Sequence, residues 1–103
     1  MNAVKVEYTI KPEYRETNKK NIRRVMEALR LHPIAGMQYA TFTDEQNPDT
    51  FIHINMARDE ATMAKLNDVG EFQDFRKALK ESHPLSPPKQ TKLNLVDAGF
   101  KLS

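Results

Sequence analysis

The sequence contains no cysteine. That excludes disulfides, thiolate catalysis and the cysteine ligand sets of zinc and iron–sulfur sites. Long apolar runs are missing too. Met1-Asn2-Ala3-Val4-Lys5 passes straight into alternating charged and apolar residues, and no stretch matches a signal-peptide core or a membrane span in length. The expectation is a soluble, cytoplasmic protein with no membrane partner. Nor does one sign of charge dominate: 16 Lys+Arg stand against 14 Asp+Glu, a net charge of +2, which is too balanced to imply nucleic acid. The three histidines have no matching acidic pattern nearby, so no metal site is expected. Repeats and low-complexity tracts are absent.

What remains is ordinary globular composition, 39% hydrophobic and 29% charged, in 103 residues. This fits one domain over residues 1–103. A chain this short shelters a smaller share of its surface than a longer one, so a partner surface would help it.

Val4, Val6, Tyr8 and Ile10 alternate with Lys5, Glu7, Thr9 and Lys11, the period of a two-faced strand. Pro12 ends it. A helix is predicted from about Tyr14 to Leu31, with Ile22, Val25, Met26 and Leu29 on one apolar stripe. His32-Pro33 stops it, because proline disfavours helical geometry in the residue before it. A strand is predicted for Met37–Thr43, a turn for Asp44–Asp49 and a third strand for Phe51–Met56, making a hairpin. Asp59 is placed to cap a second helical region whose stripe is Met63, Leu66, Phe72, Phe75 and Leu79. Gly70 and the capping-box-like spacing of Asp68 and Glu71 predict a break and restart there. Pro84, Pro87 and Pro88 read as an extended linker, and Thr91–Ala98 as the last strand.

The order β-α-β-β-α-β gives an α+β, ferredoxin-like fold: a four-stranded antiparallel sheet with two helices on one face. The other face has no covering element. Strand three places Ile52, Ile54 and Met56 on one side and Phe51, His53 and Asn55 on the other, so apolar groups lie on both. Each buried aliphatic side chain stabilises by about 1.5–3 kcal/mol, so three on an uncovered face are worth roughly 5–9 kcal/mol at most. A second copy packed sheet to sheet would recover most of that, and a homodimer is expected.

Ile10-Lys11-Pro12, Gly36-Met37-Gln38-Tyr39, the stretch from Asp44 through Asn47-Pro48-Asp49-Thr50-Phe51, Asp59-Glu60-Ala61, and Phe72 with Phe75 cover most of the chain. In order and spacing they resemble the antibiotic-biosynthesis-monooxygenase family of the dimeric α/β-barrel superfamily. The chain departs from the family's glutamate-x-tryptophan on strand three, where it has Asn55-Met56-Ala57. It has Lys65 where the family often has a helix histidine. In the haem-degrading branch the iron-ligating histidine would fall near Arg76, and this helix has none, so haem is not expected.

The resemblance implies cofactor-free oxygenation of an electron-rich aromatic, a quinol or anthrone, whose own anion activates oxygen. Such a site needs a proton acceptor and hydrogen bonds to an oxyanion. His53 is the candidate base, with Asn55 on the same strand face and Tyr8 and Tyr39 as further groups to hold substrate. Lys65 and Arg76 are candidates for an anionic substrate group, though both also read as solvated helix residues. The family register turns His53 and Asn55 toward the helices. Periodicity alone would turn Ile52, Ile54 and Met56 there and leave His53 in the dimer interface. His32 and His83, each before a proline at a helix end, read as structural. The basic first helix reads as a solvated face. A second function class stands beside the enzyme: a non-catalytic binding or ligand-sensing module that kept the barrel without the chemistry.

Overall fold

In a computed structural model, which describes residues 1–102, four strands form one antiparallel sheet: β1 (Asn2–Thr9), β2 (Met37–Asp44), β3 (Asn47–Ala57) and β4 (Ser86–Leu93). Their order across the sheet is β2-β3-β1-β4. A single 3-10 turn at Pro12–Tyr14 leads into α1 (Arg15–Leu31). The second helical region is α2 (Glu60–Ala64), a 3-10 turn at Lys65–Asp68, and α3 (Gly70–Glu81). The α+β, ferredoxin-like arrangement read from the sequence is the one formed, with the second helix split near Gly70. No described helix is long and apolar enough to cross a membrane.

Local chemistry sets these boundaries. Asp59 caps α2, its Oδ1 accepting from the Thr62 backbone N–H at 2.7 Å. Replacing Asp59 with Ala should cost about 1 kcal/mol, read as a lowered midpoint in thermal denaturation. The restart differs from expectation. Val69 is the N-cap of α3 and no side chain bonds the exposed amides, because Asp68 is taken up in the preceding 3-10 turn. The β2–β3 turn is tighter than the predicted Asp44–Asp49. Asp44 pairs with Asn47, and Asp44 Oδ1 accepts from the Gln46 amide at 2.9 Å. Gly36 precedes β2 at φ 79°, a left-handed conformation, and a Cβ there would stand 2.6 Å from Arg58 Cδ.

The last strand is the main correction. It is Ser86–Leu93, not Thr91–Ala98, and Pro87 and Pro88 belong to it rather than to a linker. β4 is an edge strand paired only with β1, with an irregularity between Glu7 and Thr9. Prolines are tolerated there because an edge strand has amides with no ladder partner to lose. Leu95 and Val96, read as strand residues, lie past its end and are exposed.

Register settles which face is covered. Val4 lies opposite Asn55, Val6 opposite His53 and Tyr8 opposite Phe51. Tyr39 lies opposite Asn55 and Thr41 opposite His53. This set faces the helices. Tyr8, Ile10 and Phe51 from the sheet side pack with Ile22 and Val25 of α1 and Phe75 and Leu79 of α3 as one core. The opposite face carries Ile52, Ile54 and Met56, all half-buried, and Phe42, which is 57% exposed. The periodicity argument for Ile52, Ile54 and Met56 is overturned. A strand with apolar groups on both sides carries no period-two signal for which side is inside, and the aromatic rings of Tyr8, Phe51 and Phe75 fill the space under the helices.

Candidate functional site: a buried histidine between sheet and helices

Because β3 is central and its face packs under α1 and α3, His53 sits deep, with 4% of its surface exposed. Three rings flank it, with a fourth behind them. Tyr8 and Tyr39 stack near it at 5.3 and 5.7 Å between centroids, Phe75 lies at 5.3 Å, and Phe72 lies 6.0 Å beyond Phe75. Both imidazole nitrogens lie within hydrogen-bond distance of hydroxyls. Nε2 is 2.8 Å from Tyr8 Oη; Nδ1 is 2.6 Å from Tyr39 Oη and 2.9 Å from Thr41 Oγ1. Asn18 of α1, fully buried, donates through Nδ2 to Tyr8 Oη at 2.9 Å.

Burial governs the protonation of this cluster. Removing the imidazolium from water costs more than removing the neutral ring, so the His53 pKa is pushed down to about 4. The same desolvation pushes the Tyr8 and Tyr39 phenols up, with small opposing effects from Asn18 on Tyr8 and Thr41 on Tyr39. At neutral pH the cluster is therefore a neutral imidazole among neutral phenols.

Tyr8, Tyr39 and His53 form the floor of a cavity of about 660 Å³ between the sheet and the second helical region. Tyr8, Tyr39, His53 and Asn55 line it from the sheet, and Phe72, Phe75 and Leu79 from α3. Pro84, Pro87 and Pro88 close the β4 side. Its size and mostly apolar walls suit a small aromatic molecule. Asn55 adds a polar side chain to the lining; its Oδ1, like that of Asn18, is buried with no hydrogen-bond partner among the described residues. Arg76 and Lys80 also line the cavity, with the Arg76 guanidinium 5.7 Å over the Phe72 ring and donating to Asn67 Oδ1 at 3.3 Å.

Of the six residues singled out from the sequence, Tyr8, Tyr39, His53, Asn55 and Arg76 come together in this cavity. Lys65 does not: it lies in the 3-10 turn, exposed, and is not part of the lining. Asn18 and Thr41 were not foreseen. Asn18 stands four residues before Ile22 and seven before Val25, so it is a polar side chain on the buried stripe of α1, and that position was its signal. Thr41 follows from β2–β3 register, which the sequence alone does not give. Among the described residues no group of three or more His, Cys, Asp or Glu is assembled to hold a metal. A second, more open hollow of about 610 Å³ lies between α1 and β2, with Arg23 and Arg30 on its rim.

Fold and site together define a ferredoxin-like α+β protein with a ligand-sized cavity between its sheet and helices, floored by a neutral histidine. No family model and no curated protein matches the chain. Solved structures do. A crystal structure described as that of an antibiotic biosynthesis monooxygenase superposes with a TM-score of 0.81 at 22% identity, over 94% of this chain and 100% of the other. Rv0793 from Mycobacterium tuberculosis gives 0.81 at 14% identity, over 96% and 98%. PA3566 from Pseudomonas aeruginosa gives 0.77 at 22%, over 93% and 94%. At these identities the likeness is one of fold, and it extends over nearly the whole of each chain.

Proposed function

We propose that this protein is a cofactor-independent monooxygenase of the antibiotic-biosynthesis type, acting on a small electron-rich aromatic held in the sheet–helix cavity. The observation that carries the reading is the hydroxyl–imidazole cluster of His53, Tyr8 and Tyr39, braced by Thr41 behind it, on the floor of a mostly apolar, aromatic-walled cavity. An anthrone or quinol, losing its proton to water at the cavity mouth, gives a carbanion or phenolate that can itself reduce oxygen. With an anthrone, the central ring carbon bonds to O2, and the resulting hydroperoxide loses water. One oxygen atom ends as the new carbonyl and the other as water.

The protein's part is to hold the anion. Tyr39, bonded to the imidazole and itself lining the cavity, donates to the substrate oxygen. The Asn55 side chain adds a polar contact, and Arg76 and Lys80 outweigh Glu60 at the mouth. Preorganised donors around a developing oxyanion are the strongest lever such a site has. Since both ring nitrogens of His53 are already engaged, His53 acts through the Tyr39 hydroxyl rather than with a lone pair open to the substrate.

Oxygen uptake with a panel of anthrones and quinols tests this. Tyr39→Phe should lower turnover by about a hundredfold, the loss typical of one oxyanion donor, and His53→Ala should lower it as well. Rates unchanged in both variants would overturn the assignment. The occupied nitrogens of His53 also favour a second reading, a non-catalytic binding module. Tight binding of the same aromatics with no oxygen uptake above the uncatalysed rate would establish that reading instead.

The proposal includes a homodimer formed through the helix-free sheet faces. Phe42, Ile52, Ile54 and Met56 form the apolar surface that supports it.

A further inference from the structure

The hydrogen bonds around His53 can be given a direction. The Asn18 amide turns its Nδ2 to Tyr8 Oη at 2.9 Å and leaves its Oδ1 buried without a partner among the described residues; in this orientation the amide nitrogen donates and Tyr8 Oη accepts. Tyr8 is 1% exposed, and the other partner of its hydroxyl is His53 Nε2 at 2.8 Å. If Nε2 carried the imidazole proton, Tyr8 Oη would receive two donors and its own proton would point at no acceptor. Buried hydroxyl protons are rarely left so. The Tyr8 hydroxyl therefore donates to Nε2, and the single proton of the neutral ring sits on Nδ1. Tyr39 Oη and Thr41 Oγ1, at 2.6 and 2.9 Å from Nδ1, are then both acceptors, since neither can donate to a protonated nitrogen.

We propose that Asn18 is a positioning residue that fixes this direction, holding His53 as the Nδ1–H tautomer and turning the Tyr39 hydroxyl proton outward to an oxygen acceptor on the cavity's ligand. The chain runs from Asn18 to Tyr8, to His53, to Tyr39. Its far end is in the helix layer and its near end lines the cavity. The ligand class follows from that polarity: an aromatic carrying an oxyanion or carbonyl oxygen. The inference deepens the proposed function and shares its cavity, but the tautomer belongs to the resting protein and does not depend on turnover.

Two measurements test it. In protein labelled with 15N at histidine, long-range proton–nitrogen correlation at neutral pH distinguishes the two ring nitrogens, and comparison with His53→Gln identifies the signals. The expected pattern is a protonated Nδ1 and a lone-pair Nε2 in the parent protein. Asn18→Asp, read at a pH high enough to ionise its carboxyl against burial, presents only acceptors; it should take the Tyr8 proton and reverse the chain, so that Nε2 becomes protonated. A parent protein with the proton on Nε2, or a folded Asn18→Asp protein that keeps the parent's pattern with its carboxyl ionised, overturns the assignment.

The second measurement needs only the parent fold and Tyr39→Phe. Binding of 9-fluorenone is compared with that of fluorene, which has the same ring shape without the carbonyl. Fluorenone should bind about tenfold more tightly, as expected for one net hydrogen bond, and Tyr39→Phe should abolish the preference. No preference in the parent protein, or an equal one in the variant, overturns the donor role. A preference that Tyr39 controls, in a protein that consumes no oxygen, would sustain this inference and defeat the oxygenase reading.

Discussion

Lowering the pH from 6.5 to 4 should destabilise the protein by about 3 kcal/mol through His53 alone. The ordinary histidine value of 6.5 applies to the unfolded chain, whereas burial pushes the folded value down to about 4. Between those values the unfolded chain binds a proton that the folded protein refuses. Stability therefore rises with pH across this window: the contribution is complete above about 6.5 and is lost as pH falls toward 4. No carboxylate offsets the effect. The groups bonded to the ring are the Tyr8, Tyr39 and Thr41 hydroxyls, and the charged side chains sharing the cavity include Glu60, Arg76 and Lys80 at its rim, all exposed. For a domain of this size, 3 kcal/mol corresponds to a fall of roughly 12–24 °C in melting temperature. Calorimetry at a series of pH values measures the slope. His53→Gln should be flatter across the same window, though less stable at pH 7. A parent protein equally stable at pH 6.5 and 4.5 would show that the ring is neither buried nor neutral.

Ile54→Lys should separate the proposed dimer while leaving the subunit folded. Ile54 lies on the helix-free face of the central strand β3, opposite Lys5 of β1 and Ala40 of β2. In a symmetric sheet-to-sheet interface each copy contributes one Ile54, so the substitution buries two ammonium groups and removes two aliphatic contacts. Unpaired charges in a dry interface are costly enough to weaken association by about a hundredfold or more. Light scattering after size-exclusion chromatography should read a dimer for the parent and a monomer for the variant, with matching far-ultraviolet circular dichroism. A parent protein that elutes as a monomer, or a variant that remains dimeric, removes the helix-free face from the assembly.

The elements legible in the sequence were those that one periodicity determines. β1 alternates and α1 keeps a clean stripe; Asp59 announces α2 because a short acceptor before an apolar-periodic run has few other uses. β4 was displaced because Pro87 and Pro88 exclude an interior strand, and only the sheet order reveals that this strand is an edge. The face of β3 was undecidable from periodicity, since Ile52 and Ile54 compete with Phe51 on equal terms. The family resemblance pointed His53 inward, as the register places it. His53, Asn55, Tyr8 and Tyr39 were nameable as site candidates because their strands and parity were nameable. Asn18 was legible only as an oddity, a polar residue on an apolar stripe. Its meaning depends on a phenol ten residues earlier in the chain and on a histidine across the sheet. Lys65 was placed by family register alone, and it lies exposed in the 3-10 turn that precedes the break.

The account depends on the cavity beside His53 being the place where an aromatic ligand binds. Titration of the labelled protein with a hydroxylated anthrone or naphthalene under anaerobic conditions, followed by nuclear magnetic resonance, tests this most directly. The account predicts saturable shifts at the His53 ring, Tyr39, Phe72 and Phe75, with the Ile52 and Ile54 methyls unmoved. Shifts confined to the helix-free face, or none at any residue lining the cavity, would contradict it.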